Sequence, residues 1–278
     1  MAAVDIEKVG AILREVAATE VLPRWRNLAA GDVSSKSHAG DLVTIADRAA
    51  EEALAVRLSD LLPGSSVIGE EGVHAEPAIV GRFRDPAPVW VIDPIDGTRA
   101  FTEGREAFDV MVALVQDAVP VAGWILAPVS GRLFAGEIGS GTRRQSADGA
   151  WQTVPGRPAG MPLSQMQGVV TPQFFLNRRL PSPERHRDRF LGFTRHISAG
   201  HNYARLLDGE ADFLINFSTQ AWDHMAGLAL TVASGFHARR HDGRPFDPLD
   251  SKGGVLVAPD VASWNEILAL LVPEEARP

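Results

Sequence analysis

Val89-Trp90-Val91-Ile92-Asp93-Pro94-Ile95-Asp96-Gly97-Thr98 starts as an apolar strand and closes on acid, and that change of character decides how the rest of the chain is read. The run Val89 to Ile92 has the continuous apolar character of a buried strand. Asp93 falls at its C-terminal end, where the backbone leaves the sheet, and Pro94, with no N–H to donate, is expected to end the ladder. Asp96 follows in the turn. Gly97 lets the chain fold tightly and bares its amide beside Thr98, at the start of a short helix. Carboxylates and bare amides packed this closely suit hard cations together with a phosphate.

Working outward, Ser66-Val67-Ile68-Gly69-Glu70-Glu71-Gly72 is a second short apolar strand that ends in acid and glycine. Asp223, in Ala221-Trp222-Asp223-His224-Met225-Ala226-Gly227, opens an apolar run with helical character, and a helix cap or dipole partner is its other reading. Asp41-Leu42-Val43-Thr44-Ile45-Ala46-Asp47 leads into a helix with apolar positions Ala49, Ala53, Val56 and Leu61, which Thr44 or Asp41 would cap.

Taken with Lys36, the order and spacing of these segments resemble the inositol monophosphatase family of magnesium-dependent phosphatases, over Lys36 to Gly227. The resemblance implies a layered αβαβα sandwich of the inositol monophosphatase and fructose-1,6-bisphosphatase type, an α/β fold with its site between two halves. It makes Glu70, Asp93 and the Ile95 carbonyl ligands of one Mg²⁺, with Asp93, Asp96 and Asp223 around a second and Glu70 helping to hold a third. It assigns Asp47 and Thr98, near Glu70, to polarising the attacking water, and the amides of Gly97 and Thr98 to binding phosphate. Lys36, in the Ser- and Gly-rich stretch Gly31 to Gly40, would close over the substrate; its other reading is a solvated loop lysine. Homodimerisation and Li⁺ sensitivity follow from the resemblance alone.

Composition bounds the rest. With 278 residues, 45% of them hydrophobic and 22% charged, the chain is an ordinary globular sequence large enough for one big domain or two modest ones. Asp5 and Glu7 stand where a secretion signal would be basic, and no run of about 18 apolar residues occurs, so cytoplasmic residence without a membrane span is expected. Zero cysteines leave carboxylate, imidazole and carbonyl as metal ligands, which favours hard cations. A net charge of -8 argues against nucleic-acid partners and leaves a small phosphorylated metabolite as the expected one.

Val9, Ile12, Leu13, Val16 and Val21 mark a first helix, and 44–62 a second. Strand candidates at 108–115, 119–125 and 132–137 predict an antiparallel sheet. The proline- and glycine-rich 155–162 is the best boundary, dividing the chain into 1–160, with most metal ligands, and 161–278, with Asp223. In the second part, strands at 168–171, 212–216 and 254–257 alternate with helices at 202–207, 223–234 and 262–271.

Some features point away from chemistry. Arg240-His241-Asp242-Gly243 has the wrong residue order for a phosphohistidine motif, and Gly139-Ser140-Gly141 reads as a hairpin turn. The arginines from Arg178 to Arg195 read as a solvated face, with an anion-binding rim as the alternative. Two departures from the inositol pattern bear on substrate. Asn216 stands where these phosphatases commonly carry a glutamate that contacts a substrate hydroxyl, and Arg99 follows Thr98 as in the histidinol-phosphate and some nucleotide phosphatases. The expected activity is therefore Mg²⁺-dependent hydrolysis of a small polyol or amino-alcohol phosphate. Histidinol phosphate and a 3′-phosphorylated adenosine nucleotide are the alternatives, and a macromolecule-binding protein with vestigial activity is the rival of another class.

Overall fold

The computed structural model describes residues 4–29, 31–35 and 42–277; Lys36 and Asp41 lie outside them. The first helix, α1 (Ile6–Val16), starts at Asp5, whose carboxylate accepts from the amides of Glu7 and Lys8 at 3.0 and 3.2 Å. It buries Val9, Leu13 and Val16 on one face and runs into a single π-helical turn, Ala17–Val21. A short antiparallel ribbon of β1 (Val33–Ser35) and β2 (Leu42–Thr44) leads into α2 (Ile45–Leu61). Then come β3 (Ser66–Gly69), α3 (Glu70–Ala75), β4 (Val89–Asp96) and α4 (Thr98–Thr102). A meander of β5 (Asp109–Gln116), β6 (Val119–Ala127), β7 (Arg132–Glu137), β8 (Gly141–Gln145) and β9 (Trp151–Thr153) follows.

Among the described residues, β3 to β9 form one seven-stranded sheet in chain order. Only its first pair, β3 with β4, is parallel. The remaining elements are β10 (Gln167–Val169), α5 (Pro172–Asn177), β11 (Gly192–Thr194), α6 (Ala199–Leu207), β12 (Phe213–Asn216), α7 (Ala221–Ala233), β13 (His237–Arg240), β14 (Val255–Ala258) and α8 (Val261–Leu271). Their strands make a five-stranded mixed sheet in the order β11-β10-β12-β14-β13.

Alternation along the strands sets the layers, because successive side chains point to opposite faces. Trp90, Ile92, Val110, Val112 and Trp124 pack under α1 and α2, whereas Val91, Met111, Ala113 and Ile125 pack against α6 and α7. The small sheet repeats the device: Leu214, Val255 and Val257 share the core of α6 and α7, while Phe213, Ile215, Leu256 and Ala258 meet α8 and Phe175 of α5. Helices, sheet, helices, sheet, helices is the αβαβα sandwich, with α6 and α7 as the filling.

That middle layer is tight. A Cβ at Gly227 of α7 would run into the Tyr203 ring of α6, and one at Gly123 of β6 into the Ala226 carbonyl. Gly227→Ala is accordingly expected to lower stability by about 1–3 kcal/mol despite alanine's better helix propensity. The midpoint of denaturant unfolding measures it.

One local expectation is corrected. Pro94 does not end its strand: β4 continues to Asp96, which pairs with Asp109, with a register shift between Asp93 and Asp96. Of the two structural alternatives for Asp223, the dipole partner stands and the cap does not: α7 begins after Gln220, no side chain caps it, and Asp223 is its third residue.

Candidate active site

In a regular strand, residues three apart face opposite sides of the sheet, so Asp93 and Asp96 should diverge. They do not, because β4 is bulged: Asp93 pairs with Met111 and Asp96 with Asp109, three steps on one strand against two on its partner. The extra residue, beside Pro94, swings both carboxylates to the same side. Asp223 reaches them from the first turn of α7, where the helix dipole favours a negative group. One carboxylate oxygen from each of Asp93, Asp96 and Asp223 lies within 4.8 Å of the others.

Asp96 is anchored from behind by the start of α6. The amides of Ala199 and Gly200 donate to its two oxygens at 3.1 and 2.6 Å. Position 200 is glycine for close approach, since a Cβ there would meet Asp109 Cβ, Asp96 Oδ2 and Met111 Sδ at 2.9–3.0 Å. Burial raises the pKa of Asp96, and Ser198 and the two amides counter it. Asp93 is pushed well above the usual carboxylate range, first by burial and then by the charges of Glu70, Asp96, Asp223 and Asp47.

The opposite wall comes from α2. Thr44 caps this helix and closes a capping box with Asp47. The Thr44 amide and hydroxyl both donate to Asp47 Oδ2, at 2.8 and 2.5 Å. Asp47 Oδ1 lies 3.3 Å from the hydroxyl of Thr98, which is also 3.1 Å from the Ile95 carbonyl. Asp47 is fully buried, which pushes its pKa up to about 7 against the pull of the Thr44 hydrogen bonds.

One turn further along the same face of α2 stands Glu51, which sequence reading passed over. Its carboxylate accepts from the amides of Glu71 and Gly72 at 2.8 and 2.7 Å, capping α3 and so fixing Glu70, the first residue of that helix. Gly69 leaves room for it, because a Cβ there would overlap the Glu51 carboxylate. The clue in the sequence was the four-residue step from Asp47, which puts both acids on one helical face. If Glu70 ligates a divalent cation, as the resemblance implies, Glu51→Ala is expected to weaken that binding by roughly 10–100-fold, the usual cost of losing a group that orients a ligand. Calorimetric titration of the folded variant reads this.

Burial pushes Glu51 up to about 7 as well. Raised carboxylate pKa values mean that the metal-free fold binds protons more tightly than the unfolded chain. Stability of the chelated protein should therefore be highest below about pH 4 to 5 as far as these groups contribute, and fall on the order of a few kcal/mol as pH rises through about 7. Mg²⁺ should cancel that slope, and melting curves across pH with chelator and with Mg²⁺ measure both.

Beside the carboxylates opens a cavity of about 540 Å³, lined among others by Asp96, Gly97, Asp223, Asn216, Phe174 and His196. Asn216 is 2% exposed, and neither atom of its amide has a hydrogen-bond partner. His224 Nε2 lies 2.9 Å from the Ser218 carbonyl and Nδ1 3.0 Å from the Tyr203 hydroxyl, so Nε2 carries the proton and Nδ1 accepts. Burial pushes this imidazole down to about 4 and keeps it neutral. Arg99 is exposed on α4 and does not line the cavity. His241 is buried with its ring against Phe217. In the arginine-rich stretch, Arg187 pairs with Glu184 and Arg189 with Glu266, as on a solvated face, whereas Arg178 donates to the Phe217 carbonyl.

The donor set fits a hard divalent cation. Its atoms are carboxylate oxygens, those of Asp93 and Asp96 buried and that of Asp223 half-buried, crowded so closely that their charges repel, and a divalent cation would offset that repulsion. The sequence profile of the inositol monophosphatase family matches residues 4–275. The chain belongs to the inositol monophosphatase family. An inositol-1-monophosphatase of Mesorhizobium japonicum is 32% identical over 86% of this chain and 86% of its own length. A Mycobacterium leprae inositol-1-monophosphatase is 41% identical over 111 residues, and that match spans 38% of the relative's length. Among solved structures, an inositol monophosphatase from Zymomonas mobilis superposes with a TM-score of 0.73 at 25% identity, covering 95% of this chain and 96% of its own. No described helix of this family member is long and apolar enough to cross a membrane.

Proposed function

We propose that the chain is a Mg²⁺-dependent phosphomonoesterase that transfers the phosphoryl group of a small phosphorylated alcohol to water. The observation that carries this reading is the meeting of Asp93, Asp96 and Asp223 in one cluster, with Asp47 of α2 and Thr98 at the start of α4 paired beside it. Asp93, Asp96 and Asp223, with Glu70 and the Ile95 carbonyl, would hold two Mg²⁺ ions, and Glu70 would help with a third. When bound, such ions make a water more acidic and offset charge on the departing oxygen.

The chain's own groups do the remaining work. Thr98, with its hydroxyl hydrogen turned to Asp47 Oδ1, offers its oxygen lone pairs to the attacking water and takes up the proton as its own passes to the carboxylate. Thr44 holds the other Asp47 oxygen and so fixes the direction of that relay. Gly97, at φ 90°, turns the chain so that its amide and that of Thr98 face the phosphate. Asn216 offers its amide to the leaving alcohol, Arg99 would approach from outside the cavity, and Lys36 is a further proposed substrate contact. Kinship further suggests a cytoplasmic homodimer inhibited by Li⁺, with neither nucleic acid nor membrane as partner.

Phosphate release from inositol, histidinol, sugar and 3′-adenosine phosphates, with Mg²⁺ and with chelator, tests the reading. Turnover that requires Mg²⁺ is expected. Turnover that survives complete chelation would overturn it.

A further inference from the structure

We infer, resting on the metal-centre reading above, that Asp208 with Arg132 and Arg144 is a positioning device for the metal site, fixing the far end of α6 and, through that helix, the orientation of Asp96. The two ends of α6 do different work. Its first amides, those of Ala199 and Gly200, hold both oxygens of Asp96. Its C-cap is Asp208, about 13 Å away at 1.5 Å per residue. An acid has the wrong sign for that place, because the carboxyl end of a helix is the negative end of its dipole. Asp208 therefore serves partners outside the helix.

Those partners stand on the seven-stranded sheet. Arg132 Nη1 of β7 donates to one carboxylate oxygen, and Arg144 Nη1 of β8 donates to the other at 2.8 Å. The Asp208 side chain is 8% exposed, so water and salt screen this grip little. The same sheet carries Asp96 on β4, so both ends of α6 are tied to one frame. Apolar contacts of Tyr203, Ala204 and Leu207 hold the helix down, but burial is non-directional and does not fix its position along its own axis. The directional bonds to Asp208 do. At the head there is no slack, since Gly200 lies so close to Asp96, Asp109 and Met111 that a Cβ would not fit.

Arg132 also reaches the site from below. One step beyond the Val110–Leu126 pair, Asp109 comes level with Ala127, which pairs with Arg132. By strand alternation Asp109 shares the α6 face with Met111, and Arg132 shares it with Phe134. Burial and then the Asp96 charge push Asp109 up, and the Arg132 charge pulls it the other way.

The test follows Mg²⁺ binding to the full chain by calorimetry, and the Mg²⁺ concentration that half-activates turnover of p-nitrophenyl phosphate, in wild type and Asp208→Asn. Both constants should rise by roughly tenfold or more, the size of effect seen when a group behind a metal ligand is lost, with kcat at saturating Mg²⁺ within about threefold. Arg132→Met should behave alike, and Arg132→Lys should restore most of the affinity. If Asp208→Asn does not fold, Arg144→Met, which leaves Arg132 on Asp208, should still weaken Mg²⁺ binding by about two- to fivefold. Mg²⁺ affinity unmoved in the folded variant, even with a lower melting temperature, would overturn the inference and leave the metal-centre reading standing. If wild type itself neither bound Mg²⁺ nor released phosphate, the metal-centre reading would fail instead. Hydrogen exchange in chelator would then decide the link between the ends of α6: exchange in Asp208→Asn that speeds up more at the Ala199 and Gly200 amides than in α7 supports it, and exchange that does not overturns it.

Discussion

Asp93→Asn should abolish phosphate release while making the metal-free protein more stable. Asp93 stands at the centre of the cluster, with the charges of Glu70, Asp96, Asp223 and Asp47 all acting on it. Replacing it by a neutral isostere removes a proposed metal ligand and leaves an amide hydrogen facing the remaining carboxylates. A bound cation supplies several kcal/mol of transition-state stabilisation, so kcat/KM should fall by roughly 10³-fold or more. The same change relieves like-charge repulsion in a buried place, so melting in chelator should shift upward. A merely structural Asp93 predicts the opposite pair, with stability lost and activity reduced only in proportion to the folded fraction.

Asp47→Asn is expected to lower kcat by about 10²–10⁴-fold, the usual size of a lost general base, with little change in KM. The variant keeps one side-chain oxygen for the Thr44 hydrogen bonds that cap α2, so the fold should persist. What it loses is a carboxylate able to take the proton of Thr98. Thr98→Val should cost a similar factor. Because the proposed relay runs through both side chains, the double variant should be hardly worse than the poorer single one. Full additivity of the two losses would separate them and require another role for Thr98.

The fold was legible wherever burial leaves a periodic trace. The run Val89 to Ile92 is apolar throughout because both faces of β4 are covered, and α2, α7 and α8 fell within two residues of their predicted ends. The order of layers carries no local signature. It depends on which residues of β4, β5, β12 and β14 face α6 and α7, and family resemblance supplied it. Short elements such as α3 and α5 escaped because a six-residue helix shows hardly two turns of periodicity.

The site divides in the same way. Asp93 and Asp96 announced themselves by type and spacing and Asp223 by family resemblance, but the bulge that turns Asp93 and Asp96 the same way is a feature of pairing with β5, invisible along β4 alone. Glu51 and Gly200 were missed for the same reason, since each acts on a partner far away in sequence. Asp109 was missed because it sits in an apolar strand. It is a further buried carboxyl directly across the ladder from Asp96, pushed well above the usual range by burial and then by the Asp96 charge.

The central claim is that carboxylates carried by β4 and by α7 form one metal centre that drives phosphate release. Parallel Mg²⁺ titrations of wild type and Asp223→Asn, followed by calorimetry and by turnover of one accepted ester, test it most directly. Wild type should bind Mg²⁺ over the concentration range in which activity appears, and Asp223→Asn should lose both together while remaining folded. Full activity in Asp223→Asn, or Mg²⁺ binding that it does not alter, would contradict the account.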